Sequence, residues 1–509
     1  MKSKGLIIRV SLVSVLIALV VVQLVSAAVK VDTSELREAV TLEGVRAHQF
    51  AFQVIADANG GTRASSTPGY DASADYVAQQ MEAAGYNVTV QPFEFPFFQE
   101  LEPAELEQIS PNPTIYPYFD VAGFATMDYS GSGDVTAFAE GVDLVLPPAA
   151  AANTSTSGCE PEDFAGFTAG NIAVVQRGTC DFLDKALNAQ NAGAVGVIIF
   201  NEGQPGRTDA FLGTLQQPLF NIPVVAAAFD VGVELAAGGV TVRMFVNATS
   251  EFRSTSNVIA ETPGGRDDRV VVVGAHLDSV SVGPGIQDNG SGSAAILEIA
   301  RQMAELGIEP TNKVRFAWWG AEESGLLGSE YYVANLTKRD IKNIALNLNF
   351  DMIGSPNFVR FVYDGDGSDT SLAGPNGSAK IEQVFLDYFA EQGLPVEPTE
   401  FSGRSDYGPF IAVGIPAGGL FTGAEGIKTA EQAAVYGGSA GDQYDPCYHL
   451  ACDTFNNISL EALDQMSDAA AHSVMTFAMT TSAVNGTDNG NGNGKFKSSM
   501  EYKGSNLQK

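Results

Sequence analysis

The chain has 509 residues, 45% of them hydrophobic and 17% charged, an ordinary globular composition with length for about two to four domains. Sixty acidic residues against 28 basic ones leave a formal net charge of -32. That excess argues against nucleic acid as a partner, since phosphate backbones attract Lys and Arg, and it repels anionic surfaces. At the N-terminus, Lys2, Lys4 and Arg9 precede an apolar run from Val10 to Val22, and Ser26-Ala27-Ala28 follow. This is the order of a signal peptide, expected over residues 1–28. A retained membrane anchor is the competing reading, but Gln23 and Ser26 interrupt the apolar stretch. A secreted protein, extracellular or periplasmic, without stable membrane association is therefore expected. Whether residues 29–40 form a removable propeptide stays open.

Residues 31–60 read as polar helix, followed by a loop through Gly60-Gly61-Thr62-Arg63 and Thr67-Pro68-Gly69-Tyr70. Ala74, Val77, Met81 and Ala84 recur at helical spacing, Gly85 offers a C-cap, and Tyr86 to Phe95 alternates like a strand. Residues 31–130 thus open an α/β domain. Gly, Ser, Ala and Pro accumulate between residues 130 and 160, and a separate unit is expected over 131–250. It carries strands at Gly170–Val175 and Gly196–Phe200 around a helix from Lys185 to Ala192, then short strands at Pro223–Val225 and Val240–Val246. The main α/β domain resumes over 251–482. Its near-continuous apolar runs, Val270–Val273 and Val314–Trp318, flank a helix from Ser293 to Met303, as buried parallel strands joined by helices do. A helix is expected from Leu460 to Thr480. The Asn-Gly repeats and four lysines from Asn485 onward read as disordered tail, with the domain boundary placed at 483–509.

Polar chemistry follows those strands. His276 comes after the first, Glu322 and Glu323 after the second, and Asp351 after Asn347–Phe350. In open α/β sheets, ligands gather beyond the carboxyl ends of strands. His276 and His449 are two of only four histidines, and both sit in dense polar motifs, Gly274-Ala275-His276-Leu277-Asp278 and Cys447-Tyr448-His449-Leu450-Ala451-Cys452-Asp453. With Asp288, Glu323 and Asp351 they make the imidazole and carboxylate set that zinc prefers. For Asp288 alone, at the mouth of a helix, capping is the simpler reading, and the neighbouring His276 motif reverses it. Asp278 is placed to accept the free N–H of His276. Adjacent Glu322 and Glu323 repel one another unless cations or a proton compensate them. Four cysteines in an exported chain suggest disulfides. Three connectivities are open, and near-neighbour pairing gives Cys159–Cys180 and Cys447–Cys452; a zinc thiolate site lacks the spacing.

The stretches VVVGAHLDSVSVGPGIQDNGSGSAAILE, RFAWWGAEESGLLGS, NLNFDMIGSPN, SGRSDYGPF and DPCYHLACDTFNNIS resemble the secreted di-zinc aminopeptidases of the M28 peptidase family, in particular bacterial leucine-preferring members. The resemblance covers about residues 40–100 and 255–482. GNIAVVQRGTCDFLDKALNAQNAGAVGVIIFN, lying between, resembles an inserted protease-associated (PA) domain. The fold implied is a mixed, mainly parallel α/β sheet flanked by helices, with a small β/α insert. The resemblance implies that Asp288 bridges two zinc ions, with His276 and Asp351 on one and Glu323 and His449 on the other. It implies a hydroxide bridging the metals, Glu322 as general base, Tyr448 and Arg404 as stabilisers of the oxyanion and carbonyl, and Met352 and Phe421 at an apolar pocket for the N-terminal side chain. Peptides are the substrates it implies. A calcium ion at Asp464 and Asp468, four apart on one helix face, is a further expectation weaker than that of solvated acids. A monomer is expected.

A di-zinc carboxypeptidase or dipeptidase of the same fold is the alternative. A binding module on a dead hydrolase would not keep all six polar residues. A serine hydrolase lacks a Gly-x-Ser-x-Gly elbow with a spare His.

Overall fold

The computed structural model describes residues 31–485. The expected signal segment and most of the expected tail lie outside the described residues. Ser482–Asn485 does form a helical turn, and Asn485 Nδ2 donates to the Ala345 carbonyl at 3.1 Å, so the fold runs past the expected boundary at 482. No helix among the described residues is long and apolar enough to cross a membrane.

Among the described residues, fourteen strands form one hydrogen-bonded sheet. In chain order they are β1 (Asn87–Ser110), β2 (Thr114–Ile115), β3 (Phe124–Thr126), β4 (Gly133–Gly141), β5 (Ile172–Gln176), β6 (Gly196–Phe200) and β7 (Val224–Ala227). There follow β8 (Thr241–Glu261), β9 (Arg266–His276), β10 (Asn312–Trp319), β11 (Ile344–Phe350), β12 (Phe361–Tyr363), β13 (Glu397–Thr399) and β14 (Ala417–Phe421). Neighbours run β13-β12-β14-β11-β9-β10-β8-β4-β5-β6-β7-β3, with β1 lying along β8. The expected mixed α/β sheet with a β/α insert is the fold observed.

The centre of the sheet is parallel: β14, β11, β9 and β10 run the same way. Their alternate residues are buried on both faces, which explains the unbroken apolar runs. Val271, Val273, Phe316, Trp318, Leu348 and Phe350 point into one core with the helices Leu42–Ala58, Pro68–Ala83, Gly290–Glu305 and Leu460–Met479. Val270, Val272, Ala317 and Trp319 meet Tyr332 and Phe410 on the other face. Each fully buried Leu, Val or Phe contributes about 1.5–3 kcal/mol. Gly292 lets the helix Gly290–Glu305 start hard against β11, for a Cβ there would stand 2.0 Å from the Phe350 carbonyl oxygen.

Two expectations needed correction. The strand read as Tyr86–Phe95 is the first part of a 24-residue strand, and the short strand read as Val240–Val246 belongs to a 21-residue one. They pair antiparallel from Asn87↔Glu261 to Ser110↔Thr241. This ribbon joins the two units, because β8 pairs with β10 at one end and with β4 at the other. The inserted unit therefore begins before residue 131: β3 closes its far edge on β7, and Leu106 lies in one of its cores.

Candidate metal centre and substrate cavity

Sheet register assembles the site. Trp319 pairs with His276, and Asn349 with Gly274, so two residues past Asn349 the chain brings Asp351 level with His276. Leu420 pairs with Phe350, which sets Phe421 beside Asp351. All leave the carboxyl ends of parallel strands, where ligand crevices form.

Asp288 reaches the same point from the helix mouth. The capping residue is its neighbour Asn289, whose Oδ1 accepts from Gly292 N–H at 2.9 Å and whose Nδ2 donates to the Phe350 carbonyl at 3.0 Å. The Asp288 carboxylate is thereby left free of capping. Its Oδ1 lies 3.2 Å from His276 Nε2 and its Oδ2 3.2 Å from His449 Nε2. His276 Nε2 also lies 3.2 Å from Asp351 Oδ1, and His449 Nε2 3.0 Å from Glu323 Oε2. Glu322 Oε2 stands off at 3.8 Å from His276 Nε2.

Supporting groups fix these side chains. His276 Nδ1–H donates to the Asp278 carbonyl at 3.2 Å, which turns Nε2 toward the carboxylates. The Asp278 carboxylate, expected to take that N–H, is farther away at 3.7 Å. It accepts instead the backbone N–H groups of Glu322 and Glu323, at 3.2 and 3.4 Å. Ser405 Oγ donates to Asp351 Oδ2 at 2.5 Å and accepts from Asn349 Nδ2 at 2.8 Å. His449 and Tyr448 sit in a loop closed by the Cys447–Cys452 disulfide, and the other bridge is Cys159–Cys180. The Tyr448 ring stacks on His449 at 3.8 Å, and its hydroxyl accepts from Arg404 Nη2 at 3.2 Å. Arg404 also pairs with Glu425 at 2.6 Å. Met352 and His449 both hold left-handed backbone, at φ 52° and 55°, the kind of local cost that clusters at working sites.

The electrostatics call for cations. Burial opposes charge on His276, yet Glu322, Asp351, Asp278 and Asp288 overcome it and hold the imidazole well above its usual range. His449 is pushed up to about 9, with burial again outweighed by Glu323 and Asp288. Burial, with Asp406 and Asp351 adding to it, lifts the Glu322 carboxyl far above the carboxylate range. Glu323 Oε1 is buried without a hydrogen-bond partner. His276, Asp288 and Glu323 offer ligand atoms within 4.8 Å of one another, as do His276, Glu322 and Asp351. Imidazole nitrogen and carboxylate oxygen at this spacing fit a borderline divalent ion such as zinc.

A cavity of about 490 Å³ opens over this cluster, lined also by Met352, Phe421, Arg404, Tyr448 and Tyr407. All the expected metal, catalytic and pocket residues therefore meet in one place. Asp464 and Asp468 do not line it. They lie on the helix Leu460–Met479, where Arg37 faces Asp468, and burial followed by Asp464 pushes the Asp468 carboxyl up to about 6.

Several supporting residues escaped the sequence. Asp453 accepts the N–H groups of Gln287 and Asp288 at 2.8 and 2.9 Å, and its only signal is its place beside Cys452. Arg63 is fully buried and donates to the carbonyls of Leu277, Pro284 and Gly285, pinning both ends of the loop before Asp288.

The family model Peptidase family M28 matches residues 257–474, and the PA domain model matches residues 142–235. An aminopeptidase of Pseudomonas aeruginosa (strain UCBPP-PA14) is 51% identical over 84% of this chain and 80% of its own length. Leucine aminopeptidase 2 of Trichophyton equinum is 47% identical over 63% of this chain and 65% of its own. Among solved structures, an aminopeptidase from Aneurinibacillus sp. strain AM-1 superposes with a TM-score of 0.61 at 27% identity, covering 87% of this chain and 95% of that one. BSAP, a zinc aminopeptidase from Bacillus subtilis, superposes with a TM-score of 0.54 at 25% identity, covering 85% and 94%.

Proposed function

Since the chain belongs to peptidase family M28 and is an aminopeptidase, we propose that it is exported and removes large apolar residues from the N-termini of peptides at a two-zinc centre. The observation that carries the reading is the division of Asp288, one oxygen toward His276 and the other toward His449. His276 and Asp351 would complete one site, and His449 and Glu323 the other. When bound, the two ions supply Lewis acidity toward the scissile carbonyl and make water easier to deprotonate.

The remaining steps belong to the chain's own residues. Glu322 stands outside both ligand pairs, so its carboxyl, whose proton affinity burial raises, is the group placed to take a proton from water and return it to the leaving amine. Tyr448 stays protonated, because burial raises its hydroxyl, and it is a hydrogen-bond donor for the developing oxyanion. Arg404, held by Glu425, assists it. Met352 and Phe421 wall the cavity where an apolar side chain rests. The leucine preference in the name of the Trichophyton relative supports that role. The acidic lining suits a free α-ammonium group, whereas a carboxypeptidase needs an unpaired cation and Arg404 is already paired. Two disulfides support export to an oxidising compartment.

Turnover of leucine 4-nitroanilide and of free peptides tests the reading. Release of N-terminal leucine is expected, with no turnover of N-acetylated peptides. Stepwise release from the C-terminus of N-blocked peptides would overturn it.

A further inference from the structure

A second groove, of about 1100 Å³, lies between the PA domain and the catalytic half. It meets the active-site cavity at Glu323 and Gly325, which line both. For a peptide with its N-terminal residue by Met352 and Phe421, this groove would be an exit for the downstream residues, past Ser324 and Gly325. Phe98 and Tyr129, packed edge to face at 6.0 Å, form part of its wall, as does Phe182.

Arg177 is the unusual group there. It is half-buried, with its guanidinium 5.8 Å from the Phe182 ring and 4.9 Å from the Phe211 ring. Among the described residues its side chain has no hydrogen bond and no ion pair; the charges that act on it are Arg207 and Glu202, and that carboxylate is held by Arg207 at 2.9 Å. In a chain of net charge -32, a cation left unpaired on a groove wall is poorly explained by stability alone. Two of the groove's carboxylates are already engaged: Glu100 accepts from Thr126 at 2.5 Å, and Asp181 from Gln216 at 3.3 Å. They are not held by Arg177.

We propose that this groove binds the part of the peptide beyond the scissile bond, and that Arg177 selects substrates by pairing with a downstream carboxylate. The proposal deepens the aminopeptidase reading above and rests on it. A guanidinium resting against the packed pair Phe182 and Phe211 is preorganised for a planar carboxylate. That carboxylate is either the free C-terminus of a short peptide or an acidic side chain within a longer one.

The test compares wild type with Arg177→Gln and Arg177→Lys. Leucine 4-nitroanilide, which carries no carboxylate for Arg177, reports the intact catalytic centre. Leucine-initiated peptides of three to six residues are offered as free acids and as amides, and the amides also carry Asp or Asn beyond the second position. Wild type should favour the carboxylate-bearing member of a pair by about tenfold in kcat/KM, the size of one charge-assisted hydrogen bond. Arg177→Gln should erase that preference while turning over leucine 4-nitroanilide within about twofold of wild type, and Arg177→Lys should keep part of it. Acid over amide identifies the C-terminus as the source, and Asp over Asn identifies the side chain. A wild type indifferent to both pairs, or an Arg177→Gln enzyme with the wild-type preference, overturns the proposal. Failure of the underlying reading is separate: wild type would then not hydrolyse leucine 4-nitroanilide, and the proposal falls with it.

Discussion

Asp288 and Asn289 divide two jobs that the sequence allows either to do. Asn289 caps the helix Gly290–Glu305, and Asp288, one position earlier, turns both oxygens toward histidines. Glu322 and Glu323 divide in the same way, since Glu323 lies against His449 and Glu322 stands apart. Glu322→Gln is therefore expected to lower kcat by about 10²–10⁴-fold, the range for a general base, while zinc content is retained. Kinetics and metal analysis on one sample check this. Unchanged kcat refutes the role, and loss of zinc would make Glu322 a ligand. The residue types were legible because borderline metal chemistry demands them. Which acceptor turns His276 was not, since a backbone carbonyl two residues on carries no sequence signature.

At the scale of elements, the loop between β9 and the helix Gly290–Glu305 depends on a residue more than 200 positions away in sequence from its partners. Arg63 sits in a Gly-rich stretch that reads as loop, yet it is buried, and burial holds its guanidinium down to about 10 although Asp453, Asp278 and Asp288 oppose the shift. Arg63→Met leaves three buried carbonyls without their donor, each worth about 1–3 kcal/mol. A loss of at least about 3 kcal/mol is expected in urea unfolding; a change below about 1 kcal/mol would contradict the bracing role. The β1–β8 ribbon shows the converse failure. Gln99 to Gln108, rich in Glu and interrupted by Pro103, has little strand propensity, and cross-strand pairing with Met244, Phe245 and their neighbours imposes the strand. The central strands were legible because their apolar runs have no other use.

For the molecule as a whole, the continuous sheet couples the two units mechanically, but each keeps its own cores. Lys185 reports on the inserted one. Buried with Nζ donating to the Ser157 carbonyl at 2.5 Å, it is held down to about 8 by burial, with Asp163 and Glu202 pulling the other way. An unfolded chain keeps the lysine proton to about pH 10.4, so between about pH 8 and 10 the unfolded state binds the extra proton. Stability from this group therefore rises with pH across that window. Lys185→Met lacks the term, and its melting temperature relative to wild type should fall from about pH 7.5 to about pH 10. A difference that stays flat contradicts it.

The pairing of Asp288 with both histidines makes zinc stoichiometry the most direct measurement. Protein stripped by a chelator should take up two zinc ions per chain in a calorimetric titration and regain leucine 4-nitroanilide turnover as they bind, while Asp288→Asn should lose tight binding of both. Uptake of one ion or none, or turnover that survives the chelator, would contradict the account.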